Sequence, residues 1–286
     1  FDPKQNRRFS SRCTASGSSY LYHVGIKPQF MYFDSHCHLD RIDLTDFNDS
    51  FPNLINDIKA EQVIRMICIS VNLESFDSMY HLIEPYDYIY CSAGVHPDYK
   101  EVTEPTVDGL CILVEREKVV AVGETGLDYI KTGTNMGWQQ KRFITHIEAA
   151  RECKLPLIIH TRNARQDTLD LLRRYKAHEV GGVLHCFTED WAMAEQAIDL
   201  GFYISISGIV TFKQATAVQE MAKKIPEDKL LIETDSPWLS PVPFRGKVNH
   251  PGRVRHVAEK LAEIRNTSLE ALAESTFKNA NRLFNL

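Results

Sequence analysis

Short apolar segments alternate with longer helix-like segments along most of this 286-residue chain. The apolar segments are continuous runs of Val, Ile and Leu, which is typical of strands buried on both faces of a parallel sheet. Eight such strands are predicted, at residues 32–36, 65–71, 89–95, 119–124, 157–160, 182–185, 202–207 and 230–234. The spacing of apolar residues predicts helices at 51–60, 73–83, 106–117, 138–153, 164–175, 191–200, 214–223, 251–264 and 269–283.

Eight strand–helix units in about 250 residues predict an α/β fold with a single (β/α)8 TIM barrel. The alternative is a doubly wound open sheet, but no Gly-x-Gly-x-x-Gly sequence follows any predicted strand. We predict one domain at residues 31–286. Residues 1–30 are rich in Ser, Arg and Lys without periodicity, which indicates a leader. This leader is either a non-native addition or a genuine disordered or organelle-targeting extension; it lacks the apolar core of a secretory signal.

Charge and cysteine content restrict the environment of the protein. The net charge is −5, with 33 Lys and Arg against 38 Asp and Glu, so no global positive field attracts duplex DNA or anionic membranes. The chain has seven cysteines, an odd number, and no Cys-x-x-Cys pair. We therefore expect a reducing, cytoplasmic compartment and free thiols. No membrane association or obligate protein partner is indicated, and a monomer is expected.

Metal-ligand residue types stand at the ends of the predicted strands. His36 and His38 are two positions apart on the first strand, so their side chains point the same way and Cys37 points away. Because the carboxyl ends of parallel barrel strands share one face, all such residues are expected to surround one cavity. They are His36, His38, Glu124, His160, His185 and Asp235. Nitrogen and oxygen ligands without cysteine favour Mg²⁺, Mn²⁺ or Zn²⁺.

Six ligands exceed the needs of one ion, which predicts two divalent metal ions per subunit. Glu124 is the candidate bridging carboxylate. His36, His38 and Asp235 are expected to hold one ion, and His160 and His185 to complete the other. Asp235 is also a candidate to orient or deprotonate the attacking water, because its second oxygen is free when it binds an ion through the first. Glu124 and Asp235 are therefore the predicted catalytic residues.

Four further residues are candidate substrate contacts. Arg162 lies two residues after His160, and its guanidinium suits a phosphate; the alternative is a salt bridge at the barrel rim. His96 is expected either to contact a phosphate or to play a structural role. Arg245 lies in a Pro-rich loop after the eighth strand, where it either faces the substrate or is solvated. Trp238 is a candidate for stacking on a base.

Other residues of the same types are expected to be structural. Cys186 follows His185 and, like Cys37, is expected to face away from the site as a small buried residue. His146 occupies a helical position with no partner pattern and is expected at the surface.

Six motifs, in chain order, resemble those of the TatD family of metal-dependent deoxyribonucleases, within the amidohydrolase-like barrels. They are DSHCHLD at 34–40, GVHP at 94–97, GETGLDY at 123–129, IHTR at 159–162, HCFT at 185–188 and ETDSP at 233–237. The segments PVPFRGK at 241–247 and NHP at 249–251 resemble the YcfH-like bacterial branch. The resemblance covers the chain after the leader.

The resemblance implies a TIM barrel, two divalent cations and hydrolysis of DNA phosphodiester bonds by a water that the two ions activate. It implies the same six ligands. The acidic charge favours an exonuclease-like activity on single strands or duplex ends, with DNA as the substrate partner. An amidohydrolase acting on a small ester, lactone or amide is the alternative, although Glu124 stands where many such barrels carry a carbamylated Lys. The third possible function is that of a non-catalytic scaffold stabilised by metal.

Overall fold

A computed structural model describes residues 30–130 and 137–286. Its strands, β1 to β8, are Tyr32–Cys37, Val63–Cys68, Ile89–Ala93, Val119–Asp128, Leu157–Arg162, Gly182–Leu184, Tyr203–Ile206 and Leu230–Ile232. Each strand pairs in parallel with the next in chain order. The ring closes through a parallel bridge between Cys37 of β1 and Ser236, which follows β8. The predicted (β/α)8 barrel is confirmed.

Helices α1 to α9 cover the outside of the sheet in the part of the chain that the structure describes. They are Phe51–Ala60, Phe76–Ile83, Val107–Val114, Gly137–Cys153, Arg165–Arg174, Trp191–Asp199, Thr216–Lys224, Val254–Arg265 and Leu269–Phe284. Among these described helices, none is both long and apolar enough to cross a membrane. The predicted leader lies outside the described residues except for Phe30, which is half-buried against the core.

One end of the barrel is filled by apolar side chains. Phe33, Ile158 and Leu231 belong to a buried cluster that also contains Phe284 near the end of α9. The rings of Phe33 and Phe284 are 6.1 Å apart. Since Phe33 lies near the start of β1, α9 covers the amino-terminal end of the barrel. The carboxyl-terminal end is left for polar residues.

β4 is longer than predicted, because it continues through the sequence Gly-Glu-Thr-Gly to Asp128. Gly126 makes this extension compatible with close packing on β5: its φ is +132°, and a Cβ there would lie 2.0 Å from the carbonyl oxygen of His160. A side chain would push the two strands apart, so glycine allows β4 to keep pairing as far as Asp128 and Arg162. Glu124 is thereby held within a strand rather than in a turn.

A buried carboxylate joins the ends of β1 and β8. Asp34 accepts hydrogen bonds from the backbone N–H of Thr234 at 2.9 Å and from its hydroxyl at 2.6 Å. It also accepts one from the N–H of His36 at 3.3 Å. Burial raises the pKa of Asp34 well above its usual range, against the lowering effect of these hydrogen bonds. Asp34 therefore links the strand that carries His36 to the segment that carries Asp235.

The predicted surface position of His146 is wrong, because α4 turns this residue into the core. His146 is fully buried. Its Nε2 accepts a hydrogen bond from the N–H of Val95 at 3.0 Å, and its Nδ1–H donates to the carbonyl of Arg142 at 2.8 Å. Phe143 and Ile147 flank His146 on the buried side of the helix. The helical spacing of these apolar neighbours is the sequence signal that places His146 inside.

The buried His146 makes the stability of the protein depend on pH. Burial lowers the pKa of His146 to about 4, whereas an unfolded histidine titrates near 6.5. Below pH 6.5 the unfolded chain therefore binds a proton that the native chain does not, and stability falls as the pH drops towards 4. This one residue accounts for about 2 kcal/mol between pH 7 and pH 5. We expect His146→Gln, measured by urea unfolding with a chelator present, to remove that part of the pH dependence. An unchanged difference between the two pH values would contradict the assignment.

Candidate metal centre

The six predicted ligands converge at the carboxyl-terminal end of the barrel. His36 lies on β1, Glu124 on β4 and His160 on β5, whereas His38, His185 and Asp235 directly follow or closely follow strand ends. Five of them line a cavity of about 520 Å³. The sixth, His36, is completely buried. Residues separated by about 200 positions thus meet because parallel barrel strands all end on one face.

Glu124 is the centre of the cluster, and its two oxygens face different neighbours. Its Oε1 lies 2.7 Å from His185 Nε2, 3.3 Å from His160 Nδ1 and 3.3 Å from His96 Nε2. Its Oε2 lies 3.4 Å from His36 Nε2. Burial raises the pKa of Glu124, but His185, His96 and His36 outweigh it and hold the pKa well below its usual range. The bridging position predicted for Glu124 therefore has a matching geometry.

His36, His38 and Asp235 form one group of ligand atoms. The two Nε2 atoms are 3.2 Å apart. Asp235 Oδ1 lies 3.5 Å from His38 Nε2 and 3.7 Å from His36 Nε2. All three atoms lie within 4.8 Å of one another, as an ion shared by them requires. This is the group predicted for the first ion.

The remaining ligands group differently from the predicted second set. His160 and His185 both contact Glu124 Oε1, as expected. However, the atoms within 4.8 Å of one another combine Glu124 with His36 and His185 in one group, and with His96 and His160 in another. The ring of His185 stacks on that of His36 at 3.8 Å, which explains the first combination. Glu124 belongs to both groups, and His96 enters the cluster from the segment that follows β3.

Hydrogen bonds at the far side of each ring determine which nitrogen faces the cluster. His38 Nδ1 lies 3.2 Å from the carbonyl of Ile69, and His185 Nδ1 lies 3.3 Å from Glu233 Oε1. His160 Nε2 lies 3.1 Å from Asp128 Oδ2. Carbonyl and carboxylate oxygens only accept, so each of these nitrogens carries the proton. The opposite nitrogen then presents a lone pair to the cluster, which is the arrangement of a metal-bound imidazole.

Two features of the cluster suit a divalent cation: a buried nitrogen atom that lacks a hydrogen-bond partner, and the types of residue present. His185 Nε2 is buried and makes no hydrogen bond, although Glu124 Oε1 is only 2.7 Å away. Burial raises the pKa of Asp235, but the neighbouring rings of His38, His36 and His185 outweigh it and leave that pKa lowered. Two ionised carboxylates surrounded by imidazole lone pairs form a set of nitrogen and oxygen donors suited to Mg²⁺, Mn²⁺ or Zn²⁺.

Comparison with known proteins identifies the family of this chain. The family model described as "TatD related DNase" matches residues 33–285. The chain belongs to the TatD family. It is 45% identical over 253 residues to the "Uncharacterized metal-dependent hydrolase YcfH" of Escherichia coli (strain K12), covering 88% of this chain and 95% of that one. It is 40% identical over 257 residues to YabD of Bacillus subtilis, also named a metal-dependent hydrolase, covering 90% and 100%.

A solved structure extends the comparison to three dimensions. The TatD homologue YJJV from Escherichia coli K12 superimposes with a TM-score of 0.82 at 28% identity, covering 89% of this chain and 98% of that one. The protein is therefore a metal-dependent hydrolase of the TatD family with a (β/α)8 barrel.

Three of the four predicted substrate contacts line the cavity of this TatD barrel. His96 does so beside Glu124. Arg162 lines it with a side chain that is 48% exposed, and Trp238 with one that is 50% exposed. Arg245 is not among the lining residues: its guanidinium lies 3.7 Å over the ring of Phe212. The guanidinium of Arg245 therefore packs on Phe212, and its contact with a substrate stays a prediction.

The two cysteines next to predicted ligands behave differently. Cys37 faces away as predicted, since its thiol donates to the carbonyl of Ile67 at 3.3 Å. Cys186 instead lines the cavity, so the prediction that it faces away is wrong. β6 ends at Leu184, and Cys186 has a φ of +41°, so the alternation of a strand no longer applies. Its N–H donates to Glu233 at 2.7 Å.

Sequence reasoning gave no role to the carboxylates that orient the histidines. Asp128, Glu233 and Asp34 are buried and hydrogen-bond to His160, to His185 and to the backbone of His36, respectively. All three lie inside the family motifs. Such residues can be recognised in the sequence as carboxylates that lie within a few residues of a predicted ligand at a strand end. The surrounding segment is apolar, which indicates that the carboxylate is buried.

Proposed function

We propose that this TatD-family hydrolase is a two-metal deoxyribonuclease that removes nucleotides from single-stranded DNA or from duplex ends. The position of Glu124 carries the proposal. Its Oε2 faces His36 and, at 3.9 Å, His38, whereas its Oε1 faces His160 and His185. A carboxylate whose two oxygens face two ligand groups is suited to joining two divalent ions, and paired ions are typical of enzymes that cleave phosphodiesters.

In this proposal each ligand group has a defined task. His36, His38 and Asp235 would hold one ion, and His160 and His185 would hold the other, with Glu124 available to both groups. When bound, the ions neutralise charge on the phosphate and make water more acidic. Asp235 lines the cavity with a lowered pKa, so it is ionised at neutral pH and accepts a proton from the attacking water. Asp128 and Glu233 keep His160 and His185 in the ligand-competent tautomer.

The cavity favours a chain end over a long DNA track. Among the residues that the structure describes, Arg162 is the one Lys or Arg that lines the cavity, whose lining also includes Asp98, Asp128 and Asp235. A single guanidinium supports about one phosphate beyond the scissile group, whereas tracking a duplex requires many cationic contacts. Trp238 offers an exposed ring at the mouth, 5.1 Å from the ring of His38. Stacking of a terminal base there contributes about 1–3 kcal/mol.

The test compares a labelled linear oligonucleotide with a circular one of the same sequence, in the presence of Mg²⁺, Mn²⁺ or Zn²⁺. We expect release of nucleotides from the linear strand and none from the circle, because the circle has no end. A panel of small esters, lactones and amides is assayed in parallel. Turnover of a lactone without cleavage of the oligonucleotide would favour the amidohydrolase alternative, and metal binding without any turnover would favour a scaffold. Cleavage of the circle would contradict the end-acting part of the proposal.

A further inference from the structure

His96 is bound differently from the other histidines of the cluster. Its Nδ1 accepts a hydrogen bond from the backbone N–H of Asp98 at 3.1 Å. A ring nitrogen that accepts carries no proton, so in the neutral ring the proton is on Nε2. That Nε2 is the atom 3.3 Å from Glu124 Oε1. His96 therefore directs an N–H towards Glu124, whereas His38 and His185 direct lone pairs into the cluster.

The segment that carries His96 is attached to a polar face of α4. Gln139 Nε2 donates to the carbonyl of Pro97 at 3.0 Å. Arg142 Nη1 donates to the carbonyls of His96 at 3.0 Å and Tyr99 at 2.7 Å. One turn further on, His146 accepts the N–H that precedes this segment. These contacts fix the backbone on both sides of the His96 side chain.

The side chains of α4 that hold the His96 segment are buried, which restricts the segment to one position. Gln139 is fully buried, and Arg142 is 3% exposed. Arg142 also forms an ion pair with Glu104, so its guanidinium uses all three nitrogens. Buried polar groups of this kind are stable only with their partners in place, since each unsatisfied donor or acceptor is costly. The segment at 96–99 therefore has one favoured position relative to α4.

We propose that His96 is a positioning donor for the bridging carboxylate Glu124, not a metal ligand, and that Arg142 of α4 sets its position. The hydrogen bond to Oε1 holds the carboxylate in the orientation that shares its oxygens between the two ligand groups. This inference rests on the proposed bridging role of Glu124. The alternative is that His96, Glu124 and His160 hold an ion together, since their ligand atoms lie within 4.8 Å of one another.

The first test measures Mn²⁺ binding by calorimetry, without DNA. We expect His96→Ala to keep the wild-type number of bound ions with an affinity about tenfold lower, as for loss of an outer-sphere hydrogen bond. His96→Gln, which restores an N–H donor, should return the affinity to within about threefold of wild type. His185→Ala, which removes a predicted ligand, should bind fewer ions. If His96→Ala and His96→Gln both lose an ion, as His185→Ala does, His96 is a ligand and the proposal is wrong.

A spectroscopic readout tests the tautomer directly. In the ¹⁵N spectrum of histidine-labelled protein loaded with ¹¹³Cd²⁺, His96 should show a protonated Nε2 and no coupling to cadmium. His38 and His185 should show that coupling. Coupling at either nitrogen of His96 would overturn the proposal. Because neither readout uses a substrate, failure here is distinct from failure of the nuclease function.

The role of Arg142 is tested by a double-mutant cycle. Arg142→Lys keeps a positive charge but loses the fork that contacts two carbonyls. We expect it to lower Mn²⁺ affinity about as much as His96→Ala, and the double variant to be no weaker than either single variant. Lys141→Gln, at an exposed position of the same helix, is the matched control and should have no effect. Fully additive losses would show that Arg142 does not act through His96. Glu104→Gln provides a milder variant if Arg142→Lys does not fold.

Discussion

Replacing Glu124 by alanine is expected to lower the metal-dependent release of nucleotides by on the order of 1,000-fold. Glu124 is within 3.4 Å of His36, His160 and His185, so its loss removes the carboxylate that lies between the two ligand groups. The rate is measured on a labelled single-stranded oligonucleotide at saturating Mn²⁺.

Asp235→Ala should have a similar effect for a different reason, because Asp235 is both a predicted ligand and the predicted proton acceptor. Glu179→Ala is the matched control: this carboxylate pairs with Arg151 on the outer surface, where such pairs contribute little. Its rate should equal that of the wild type. Wild-type rates in both Glu124→Ala and Asp235→Ala would refute the assigned site.

Replacing Gly126 by alanine should lower the free energy of unfolding by roughly 3–5 kcal/mol. Two effects add. The φ of +132° is unfavourable for any residue with a side chain, and the new Cβ would lie 2.0 Å from the carbonyl oxygen of His160. Relief of that clash requires β4 and β5 to separate at the point where they carry Glu124 and His160. We therefore also expect weaker Mn²⁺ binding, measured together with urea unfolding.

Gly201→Ala is the control that separates the cost of a positive φ from the cost of the Cβ clash. Gly201 has a φ of +92°, but nothing lies within 4 Å of the position of its Cβ. Only the backbone penalty applies there, which is about 1–2 kcal/mol. Equal destabilisation by the two substitutions would mean that the contact between β4 and β5 is not what requires glycine at position 126.

Much of the architecture could be predicted because it depends on local patterns. Continuous apolar runs such as 157–160 are favourable only where both faces of a strand are covered, and eight of them alternating with helices leave few folds besides the barrel. The convergence of Glu124 and His185 followed from the same argument, since the carboxyl ends of parallel strands share a face. Neither prediction required knowledge of side-chain contacts.

The errors came from positions where local patterns stop applying. The alternation of a strand places Cys186 facing away, but β6 has already ended and a positive φ turns the residue into the cavity. Polarity suggests a surface position for His146, yet its helical spacing and its partner Val95 bring it inside. For Arg245 the sequence left two positions open, because the ring of Phe212, far from it in sequence, determines where its guanidinium lies.

The sequence by itself determined the number and order of the strand–helix units and the residues that stand at the strand ends, because both depend on near neighbours along the chain. Only the tertiary structure decided which nitrogen each histidine presents. The partner of His38 lies 31 residues away, that of His160 lies 32 away and that of His185 lies 48 away. A ring nitrogen donates or accepts according to the atom it meets, so the difference between a metal ligand and the donor at His96 appears only once the barrel brings those distant atoms together.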